Sequence, residues 1–408
     1  MSTESRTSTK KNGRRPKALV IGAGIGGLTA AVALREAGLD VEIHERAGRL
    51  RAAGSGLSVM SNAVGALRSL GVGIDLESRG TTLDSYHVRT ARGRLIREFP
   101  FPEIIERLGV PSVLITRSDL QQALLEAAEG IPLTLGSAAS AFETDPTGGV
   151  RVTFEDGRVE HGDLLIGADG FHSVVRRQLA GPEPSQDSGY ICWLAVVPYA
   201  HPRFAPGSVV HYWGSGRRFG LVDVGGGRLY WWGTKNMPAE RSHDWKGTKE
   251  EILGTYAGWA DEVVHAIEVT PEESVIAVPS RDRPFLERWG SGPVTLLGDA
   301  AHPMLTSLGQ GSGMAIEDAV VLGRALRGAE DLPRALRRYE DERRERTRAL
   351  VAASRGISDF EQSEGLRRPV RDAYFRFMPR AKLVRTLEGS LTFTPPSFRT
   401  APATGAAA

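Results

Sequence analysis

Cysteine is nearly absent from this 408-residue chain, which has one, Cys192. A single cysteine excludes an intrachain disulfide and any metal site built from several thiolates, and we expect no metal. The formal net charge is only +2, which gives no reason to expect nucleic-acid binding. No apolar stretch is long enough to span a bilayer. The remaining composition is that of a globular protein with enough residues for two lobes.

The two ends of the chain have the composition of disordered segments. Residues 1–17 are polar and basic, residues 399–408 are small, and we expect both to be disordered tails. A basic start before the apolar run Ala18–Leu34 superficially looks like a secretory signal. Glycines interrupt that run, and a strand followed by a helix explains it better. The sequence therefore predicts a cytoplasmic protein.

The first informative stretch is glycine-rich. An apolar strand runs into Gly22-x-Gly24-x-x-Gly27, a helical run follows, and a second strand ends at Glu45. In this pattern the first glycine makes a tight turn, the second lets backbone approach a pyrophosphate, and the third lets helix and strand pack closely. The helix start then offers unpaired N–H groups to the phosphates. Glu45 is placed to accept a hydrogen bond from a ribose hydroxyl.

Three carboxylates occupy equivalent places in the predicted sheet. Glu45, Asp169 and Asp299 each follow an apolar run that we expect to be a strand. In an open α/β sheet, ligands bind beyond the carboxyl ends of the strands. Three such acids, separated by large insertions, fit one long ligand that lies across the edge of the sheet.

Aromatic residues are concentrated between Tyr190 and Thr234, where short β-rich runs alternate with glycine turns. We expect an antiparallel sheet there, forming a second lobe inserted into the nucleotide-binding chain. Aromatic residues on a sheet are more often core than pocket. Their density here nevertheless favours one face that meets a flat apolar ligand.

Taken together, these motifs resemble the single-component flavin monooxygenases, the FAD-dependent aromatic hydroxylases of the para-hydroxybenzoate hydroxylase superfamily, closest to a zeaxanthin-epoxidase-like branch. The resemblance covers most of residues 18–350. The matching motifs are the glycine turn with Glu45, the Asp169-Gly170 turn with Ser173 and Arg176, the stretch 298–303, the Gly309-Gln310-Gly311 turn and the stretch 317–319.

The resemblance implies an α/β fold: a Rossmann-like FAD-binding domain of the glutathione-reductase type, an inserted antiparallel-sheet substrate domain, and C-terminal helices. The predicted FAD-binding domain comprises residues 18–80, 110–185 and 281–355. The sheet domain comprises residues 81–109 and 186–280, and a helical segment follows at 356–398.

The resemblance also implies roles for individual residues. Glu45 would hold the adenosine ribose of FAD, Arg117 would reach its phosphate or ribose region, and Asp299 would bind the ribityl hydroxyls. The predicted cofactor-binding residues are Gly22, Gly24, Ile25, Gly26, Gly27, Glu45, Arg46, Gly56, Leu57, Arg117, Asp169, Gly170, Gly298, Asp299, Gly309, Gln310, Gly311 and Ser312. No second glycine motif is present for NADH or NADPH, which suits a family that has no separate nicotinamide domain.

The implied reaction consumes NAD(P)H and dioxygen. In such enzymes reduced flavin gives a C4a-hydroperoxide, whose distal oxygen passes to an electron-rich carbon of the substrate. The helix start after Gly309 would stabilise negative charge on the flavin. The implied substrate is an apolar aromatic, polycyclic or isoprenoid compound that becomes hydroxylated or epoxidised, in secondary metabolism or catabolism.

Catalytic and substrate residues are less clearly marked. Arg46, Arg49 and Arg51 are candidates to contact a mobile isoalloxazine ring, or are exposed loop charges. Departures from the family pattern at Thr306, Ser307 and Leu194 lie where flavin and substrate should meet. The predicted catalytic residues are Arg51, His211 and Tyr212, and the predicted substrate residues are Trp193, Tyr212, Phe219, Trp231, Thr306 and Ser307.

Two other functions are compatible with the motifs. The first is an oxygen-independent FAD oxidoreductase of the geranylgeranyl-reductase type, and the second is a non-enzymatic flavin-binding regulator. Either a monomer or a homodimer is compatible with the sequence.

Two C-terminal stretches have simpler interpretations. Glu330–Ser354 predicts a highly charged, solvated helix with i,i+4 ion pairs. Pro369–Thr386 mixes aromatic and basic residues. Packing on the nucleotide-binding lobe or on a second subunit is favoured for it over peripheral membrane contact.

Overall fold

The computed structural model describes residues 14–50, 54–145 and 148–394. In chain order the strands are β1 Lys17–Ile21, β2 Asp40–His44, β3 Gly56–Val59, β4 Thr81–Thr82, β5 Ser85–Thr90, β6 Leu95–Phe99, β7 Val113–Thr116, β8 Leu133–Thr134, β9 Ala139–Asp145, β10 Gly149–Phe154, β11 Val159–Gly162, β12 Leu164–Gly167, β13 Gln186–Pro198, β14 Ser208–Trp213, β15 Arg217–Asp223, β16 Arg228–Asn236, β17 Ile276–Asp282 and β18 Val294–Leu296.

The α-helices lie between and after these strands. They are α1 Ile25–Glu36, α2 Ser61–Ser69, α3 Phe101–Leu108, α4 Arg117–Ala127, α5 Val174–Ala180, α6 Ala239–His243, α7 Lys249–Thr255, α8 Asp261–Glu268, α9 Gly311–Leu326, α10 Leu332–Glu361, α11 Arg367–Phe377 and α12 Arg380–Leu391. Short 3-10 turns form at Glu272–Ser274, Gly298–Ala300 and Thr306–Leu308.

A parallel sheet forms the centre of the nucleotide-binding part. Its strand order is β18-β12-β1-β2-β8, and every neighbouring pair is parallel. All residues of β12 and β18 are buried, as expected for strands covered on both faces. Helices α1 and α9 cross beside the sheet at close range: a Cβ on Gly323 would lie 2.8 Å from the carbonyl oxygen of Ala33. The parallel order brings the carboxyl ends of β1, β2, β12 and β18 to one edge.

A mixed seven-stranded sheet forms the second large layer, in the order β17-β13-β16-β15-β14-β5-β6. Its pairs are antiparallel except β14 with β5, which is parallel. One face packs on α7 and α8 in an apolar cluster that includes Trp193, Phe219 and Ile252. The expected α/β class, with a parallel sheet, an added largely antiparallel sheet and C-terminal helices, is confirmed. The residue boundaries of the two domains stay a prediction.

The predicted N-terminal tail extends too far into the chain. The Arg14 guanidinium donates two 2.8 Å hydrogen bonds to Asp163, and Lys17 already begins β1. Residues 14–17 are therefore ordered at the amino end of β1, the central strand of the sheet. The rest of that tail, residues 1–13, and the predicted tail 399–408 lie outside the described residues.

The charged helix is only partly solvated, so that prediction was wrong in part. Helix α10 buries Glu340 and Arg343. Arg343 Nε donates to Asp318 at 2.7 Å, and its Nη2 lies 2.8 Å from Glu317. These partners belong to α9. The buried charges therefore hold α10 against α9, and only the remaining charges face solvent.

The C-terminal segment forms two helices that meet at Pro379. Helix α11 packs on β6, and α12 packs on α3. Phe375 lies edge-on to Trp213, with ring centroids 4.8 Å apart. The segment therefore covers the edge of the second sheet. It also reaches the nucleotide-binding part, one of the two expected locations, where Arg346 of α10 donates a 2.9 Å hydrogen bond to the Ser390 carbonyl; packing on a second subunit stays a prediction.

Candidate active site

The turn after β1 needs glycine for two different reasons. Gly22 has φ +107, and a Cβ there would overlap the carbonyl oxygen of Ala168. A Cβ on Gly27 would overlap the carbonyl oxygen of Gly22, so the helix start packs directly on the turn. A Cβ on Gly24, in contrast, would meet nothing within 4 Å. Gly24 is also the N-cap of α1 and gives it no side-chain cap, which leaves the first N–H groups for a ligand.

The carboxylate of Glu45 is held beside that turn. Its Oε2 accepts a 2.8 Å hydrogen bond from the Ala23 N–H, and its Oε1 accepts one of 2.9 Å from Ala47. The side chain is only half buried, and a carboxylate oxygen can accept more than one hydrogen bond. Arg46 follows on the exposed side, and Arg51 lies outside the described residues.

The second strand end carries Asp169 and Gly170. Oδ2 of Asp169 accepts a 2.7 Å hydrogen bond from the Val174 N–H at the start of α5. Its Oδ1 is buried and has no hydrogen-bond partner among the described residues. Burial raises the pKa of Asp169, and the hydrogen bonds to Ser173 and Val174 oppose that shift. An unpartnered buried carboxylate oxygen is costly, which is a reason to expect a ligand or water at this turn.

Arg176 connects the second strand end to the third. Its buried guanidinium donates to the carbonyl oxygens of Ala301, at 2.7 Å, and Ala300, at 3.2 Å. These carbonyls belong to the turn that carries Asp299. These hydrogen bonds of Arg176, seven residues after Asp169, therefore fix one turn against the other.

Asp299 faces a cavity at the third strand end. Its side chain faces the cavity, and protein surrounds it on the other sides. The resulting loss of contact with bulk water raises the pKa of Asp299, and the charges of His302 and Arg117 oppose this shift. Nearby, Gly309 has φ +61, and Gln310 is the N-cap of α9 without a side-chain cap. The Gln310 Oε1 accepts a 3.0 Å hydrogen bond from Asn62. A second helix start thus points free N–H groups at the same cavity.

Buried charges hold α9 in that position. His302 Nε2 lies 2.6 Å from the carboxylate of Asp318, which also accepts a hydrogen bond from the Gly298 N–H. The charges of His302 and Arg343 lower the pKa of Asp318 to about 2 in spite of its burial. His302 therefore has its partner on α9 and is not among the residues that line the cavity.

All three strand ends and both helix starts border one cavity of about 610 Å³. We call the part of this cavity that is lined by the strand ends and helix starts the nucleotide half. The predicted cofactor residues that line it are Gly24, Ile25, Gly26, Gly56, Leu57, Arg117, Gly170, Gly298, Asp299, Gly309, Gln310, Gly311 and Ser312. The other five predicted cofactor residues are not part of the lining: Gly22, Gly27, Glu45, Arg46 and Asp169. The open space at Gly24 and the free Oδ1 of Asp169 fit an extended dinucleotide.

The rest of the cavity is bounded by the second sheet and the C-terminal helices. We call this part the sheet half. Because directly paired residues share a face, the register makes its lining predictable: His211 pairs with Gly220, Arg218 with Thr234, and Val222 with Tyr230. The aromatic residues of this surface are Tyr86, Phe99, Phe101, Trp213, Tyr230, Trp232, Tyr374 and Phe375.

Four of the predicted substrate residues lie on the opposite face of this sheet. Tyr212 donates a 2.7 Å hydrogen bond to Glu262, and Trp231 donates one of 2.8 Å to Thr270. Phe219 stacks on Trp231 with centroids 5.2 Å apart. Trp193, Tyr212, Phe219 and Trp231 are thus core residues, a correction to their expected position. His211, Thr306 and Ser307 do line the cavity.

Alternation was the available signal for the correct face. Both faces of β14 are buried, so hydrophobicity does not separate them. The register places the polar residues His211, Arg218 and Thr234 on one face of the sheet, and the large apolar residues Phe219 and Trp231 on the other. The phase of the polar residues therefore indicated the cavity face. The contribution of Tyr374 and Phe375 had no comparable local signal.

An ion pair and an uncharged pair are among the polar groups of the sheet half, whose lining also includes Thr234 and Lys382. Arg218 forms a buried ion pair with Glu361 and donates to Gln362 at 3.0 Å. Burial raises the pKa of Glu361, and the charges of Arg218 and Arg371 oppose the shift. The Tyr86 hydroxyl lies 3.0 Å from Nδ1 of His211. Burial lowers the pKa of His211 to about 3, so its imidazole is neutral at physiological pH.

Comparisons with known proteins identify what such a cavity holds in similar chains. A family model described as an FAD binding domain matches residues 15–354. Aurachin C monooxygenase/isomerase from Stigmatella aurantiaca is 37% identical over 92% of this chain and 98% of its own length. FAD-dependent urate hydroxylase from Klebsiella pneumoniae subsp. pneumoniae is 35% identical over 86% of this chain and 91% of its own.

Two further proteins are similar to this chain over most of its length. Zeaxanthin epoxidase from Nicotiana plumbaginifolia is 35% identical over 84% of this chain, which spans only 54% of that protein. The crystal structure of Klebsiella pneumoniae HpxO with FAD and uric acid superposes with a TM-score of 0.86 at 31% identity, covering 92% of this chain and 96% of that one. The predicted fold class and the predicted cofactor, FAD, are both confirmed.

Proposed function

The chain belongs to the FAD-binding family of single-component flavin monooxygenases, of the para-hydroxybenzoate hydroxylase type, and from that premise we propose its reaction and substrate class. It uses NADH or NADPH and dioxygen to insert one oxygen atom into an uncharged, largely apolar ring compound. The observation that carries the substrate class is the Arg218–Glu361 ion pair inside the sheet half.

The nucleotide half supplies the groups that would hold FAD. The free N–H groups at Gly24 and the start of α1 suit the pyrophosphate. Glu45 suits the adenosine ribose, and Asp299 suits the ribityl hydroxyls. The start of α9 favours negative charge at the flavin pyrimidine edge, because its first N–H groups carry no cap. Bound FAD supplies the electron and oxygen transfer, and the protein supplies orientation and exclusion of water.

Charge balance supports an uncharged substrate. The two buried charges that border the sheet half, Arg218 and Glu361, neutralise each other. Beside this pair, a charged ligand would have to break it or remain unpaired, and either costs about 3–5 kcal/mol. The exposed Lys382 is a further cation of the lining, on the side of the C-terminal helices. The surrounding rings, among them Trp213, Tyr230 and Trp232, suit a flat apolar body.

One polar group on the substrate would find a partner at the opposite wall. Tyr86 and His211 form a neutral hydrogen-bonded pair on the cavity surface, and Trp232 holds the imidazole edge-on at 4.8 Å. A carbonyl, hydroxyl or N–H group of a ring compound can exchange hydrogen bonds with this pair without any charge. Tyr86 and His211 are thus the proposed substrate-orienting residues, in place of Tyr212.

The experiment uses the FAD-loaded protein with matched ligands. We expect it to oxidise NADH or NADPH faster when a suitable ring compound is present, and to place oxygen from ¹⁸O₂ in the product. A panel taken from the names of similar proteins contains aurachin C, zeaxanthin and urate. It also contains 3-amino-4-hydroxybenzoate, named for a 2-monooxygenase from Streptomyces cremeus that is 36% identical over 83% of this chain and 86% of its own, together with the methyl ester of that acid. The uncharged ester should stimulate more than the free acid.

The oxygen-independent alternative and the substrate class each have their own signature in that experiment. Oxidation of NAD(P)H that proceeds equally without dioxygen, and leaves no ¹⁸O in the product, would favour the oxygen-independent oxidoreductase. Stimulation by the free acid above its ester would contradict the proposed substrate class while leaving the monooxygenase reaction intact.

A further inference from the structure

Helix α11 carries an apolar stripe on its outer surface. Leu366 is 91% exposed, Val370 64%, Tyr374 44% and Phe377 76%. Leu366 is the N-cap of α11, and the spacing of four, four and three residues places all four side chains on one side of the helix. The buried side of the same helix carries Arg371 and Phe375. Large apolar side chains this exposed and this contiguous mark an interaction surface.

Basic residues surround this outer stripe. The exposed cations of α11 and α12 are Arg367, Arg368, Arg376, Arg380, Lys382 and Arg385. Some have acidic partners: Arg380 lies 2.7 Å from Glu103, and Arg368 lies 3.9 Å from Asp372. For Arg367, Arg376 and Arg385, no carboxylate lies within ion-pair distance among the described residues. On the helix, Arg367 and Arg376 lie on opposite sides of the stripe.

The stripe is continuous with the cavity. Tyr374 belongs to the stripe and also lines the sheet half of the cavity. Two residues close to it in sequence, Phe375 and Met378, line the sheet half as well. An apolar ligand that reaches the outer surface of α11 is therefore one residue away from the cavity lining. No helix of the described residues is long and apolar enough to cross a bilayer, so any contact of this kind is at the membrane surface.

We propose that the outer face of α11 docks on a membrane surface that contains anionic lipids, with the apolar stripe inserted between headgroups and the arginines against phosphates. Charge complementarity selects this occupant over a second copy of the chain. A symmetric contact of two such faces would bring two basic rims together, which is unfavourable. Docking itself is independent of the reaction, but the passage of a substrate from the bilayer to the cavity rests on the proposed function.

The test measures binding of the FAD-loaded protein to vesicles by flotation. Vesicles of phosphatidylcholine alone are compared with vesicles that also contain phosphatidylglycerol. The stripe variant carries Leu366→Ser, Val370→Ser and Phe377→Ser, none of which lines the cavity. Its control carries Val159→Ser and Val269→Ser, whose residues are 42% and 39% exposed elsewhere. The charge variant carries Arg367→Gln, Arg376→Gln and Arg385→Gln, and its control carries Arg177→Gln, Arg241→Gln and Arg288→Gln.

We expect the wild-type protein to bind the anionic vesicles more tightly than the neutral ones. The stripe variant should lose more than about tenfold in partitioning. The charge variant should lose roughly 100-fold on anionic vesicles at low salt, since each arginine near the surface contributes. Both controls should bind like wild type.

Absence of vesicle binding by wild type would overturn the proposal, as would equal binding by the stripe variant and its control. A wild-type dimer in solution that the stripe variant dissociates, without vesicle binding, would assign the face to a second copy instead. FAD content and oxidation of a detergent-dispersed substrate are measured in parallel. If those fail while vesicle binding holds, the proposed function fails and the docking face stands.

Discussion

The nucleotide half and the sheet half of the cavity are built from different parts of the chain. The nucleotide half consists of backbone at strand ends and helix starts, where Gly24 and Gly311 leave N–H groups free. The sheet half consists of side chains on alternate residues of a sheet that is buried on both faces, closed by helices from the C-terminal end. The first half recognises a constant ligand through its backbone. The second is free to vary its side chains around an unchanged fold.

The largest effect, loss of the cofactor itself, should come from adding one methyl group to the nucleotide half. In Gly27→Ala the new Cβ would overlap the carbonyl oxygen of Gly22, so the turn cannot keep its shape. We expect loss of bound FAD and a loss of about 3 kcal/mol or more in the free energy of unfolding. Flavin absorbance of the purified protein and urea denaturation measure the two. Gly356→Ala, where a Cβ would meet nothing within 4 Å, is the control and should stay yellow and stable. A yellow Gly27→Ala protein of normal stability would show that the close contact with the Gly22 carbonyl does not require glycine at position 27.

The next test separates the two faces of the seven-stranded sheet. Trp231 is buried in the core behind the sheet, and Trp232 lines the cavity. Trp231→Ala should lower the free energy of unfolding by about 3–5 kcal/mol. Trp232→Ala should cost less stability and instead raise the KM for a ring substrate. Denaturation curves and steady-state kinetics distinguish these outcomes, and the reverse pattern would restore the original assignment of Trp231 to the substrate.

Breaking the ion pair of the sheet half should cost almost as much. Arg218→Met alone or Glu361→Leu alone leaves a buried charge without its partner, a loss of about 3–5 kcal/mol in stability. The double variant removes both charges and should recover most of that loss. FAD content should stay near wild type in all folded variants, since the nucleotide half is untouched. Single variants as stable as the double one would show that the pair is not buried as described.

Much of the nucleotide half could be predicted from sequence because its requirements are local. Gly22, Gly27 and Glu45 lie in one strand-turn-helix-strand unit, and the acids of the other two strand ends follow apolar runs. Such units have few conformations that satisfy both sterics and backbone hydrogen bonding. The convergence of Asp169 and Asp299 then follows from the rule that parallel strands end on one side of a sheet.

The sheet half could be predicted less well because its requirements are not local. A strand such as β14, buried on both faces, gives no contrast between core and cavity, so Tyr212 was as plausible a ligand contact as His211. Burial of Arg343 depends on carboxylates of α9 that are distant in sequence. The placement of Phe375 beside Trp213 joins residues far apart along the chain, and no spacing within either segment encodes it.

The smallest predicted effect is a change in pH dependence. The pKa of His211 is about 3 in the folded protein, against about 6.5 in an unfolded chain. The unfolded chain therefore binds the extra proton first: the contribution of neutral His211 is fully present above pH 6.5 and is lost as the pH falls toward 3. Each pH unit in this window costs at most about 1.4 kcal/mol. His211→Phe should lose less stability between pH 7 and pH 5 than wild type, apart from a constant offset from the Tyr86 hydroxyl. Urea denaturation at both pH values, with exposed His161→Gln as control, measures it. Parallel profiles would contradict a buried neutral imidazole.

A crystal structure of the FAD-loaded protein would show whether one cavity joins a backbone-built nucleotide half to a side-chain-built sheet half. We expect FAD to extend from Glu45, past Gly24 and Asp299, to the start of α9, with its ring system facing the side of the sheet that carries His211 and Trp232. A flavin ring on the side that carries Trp193 and Trp231, or FAD bound away from Asp299, would contradict it.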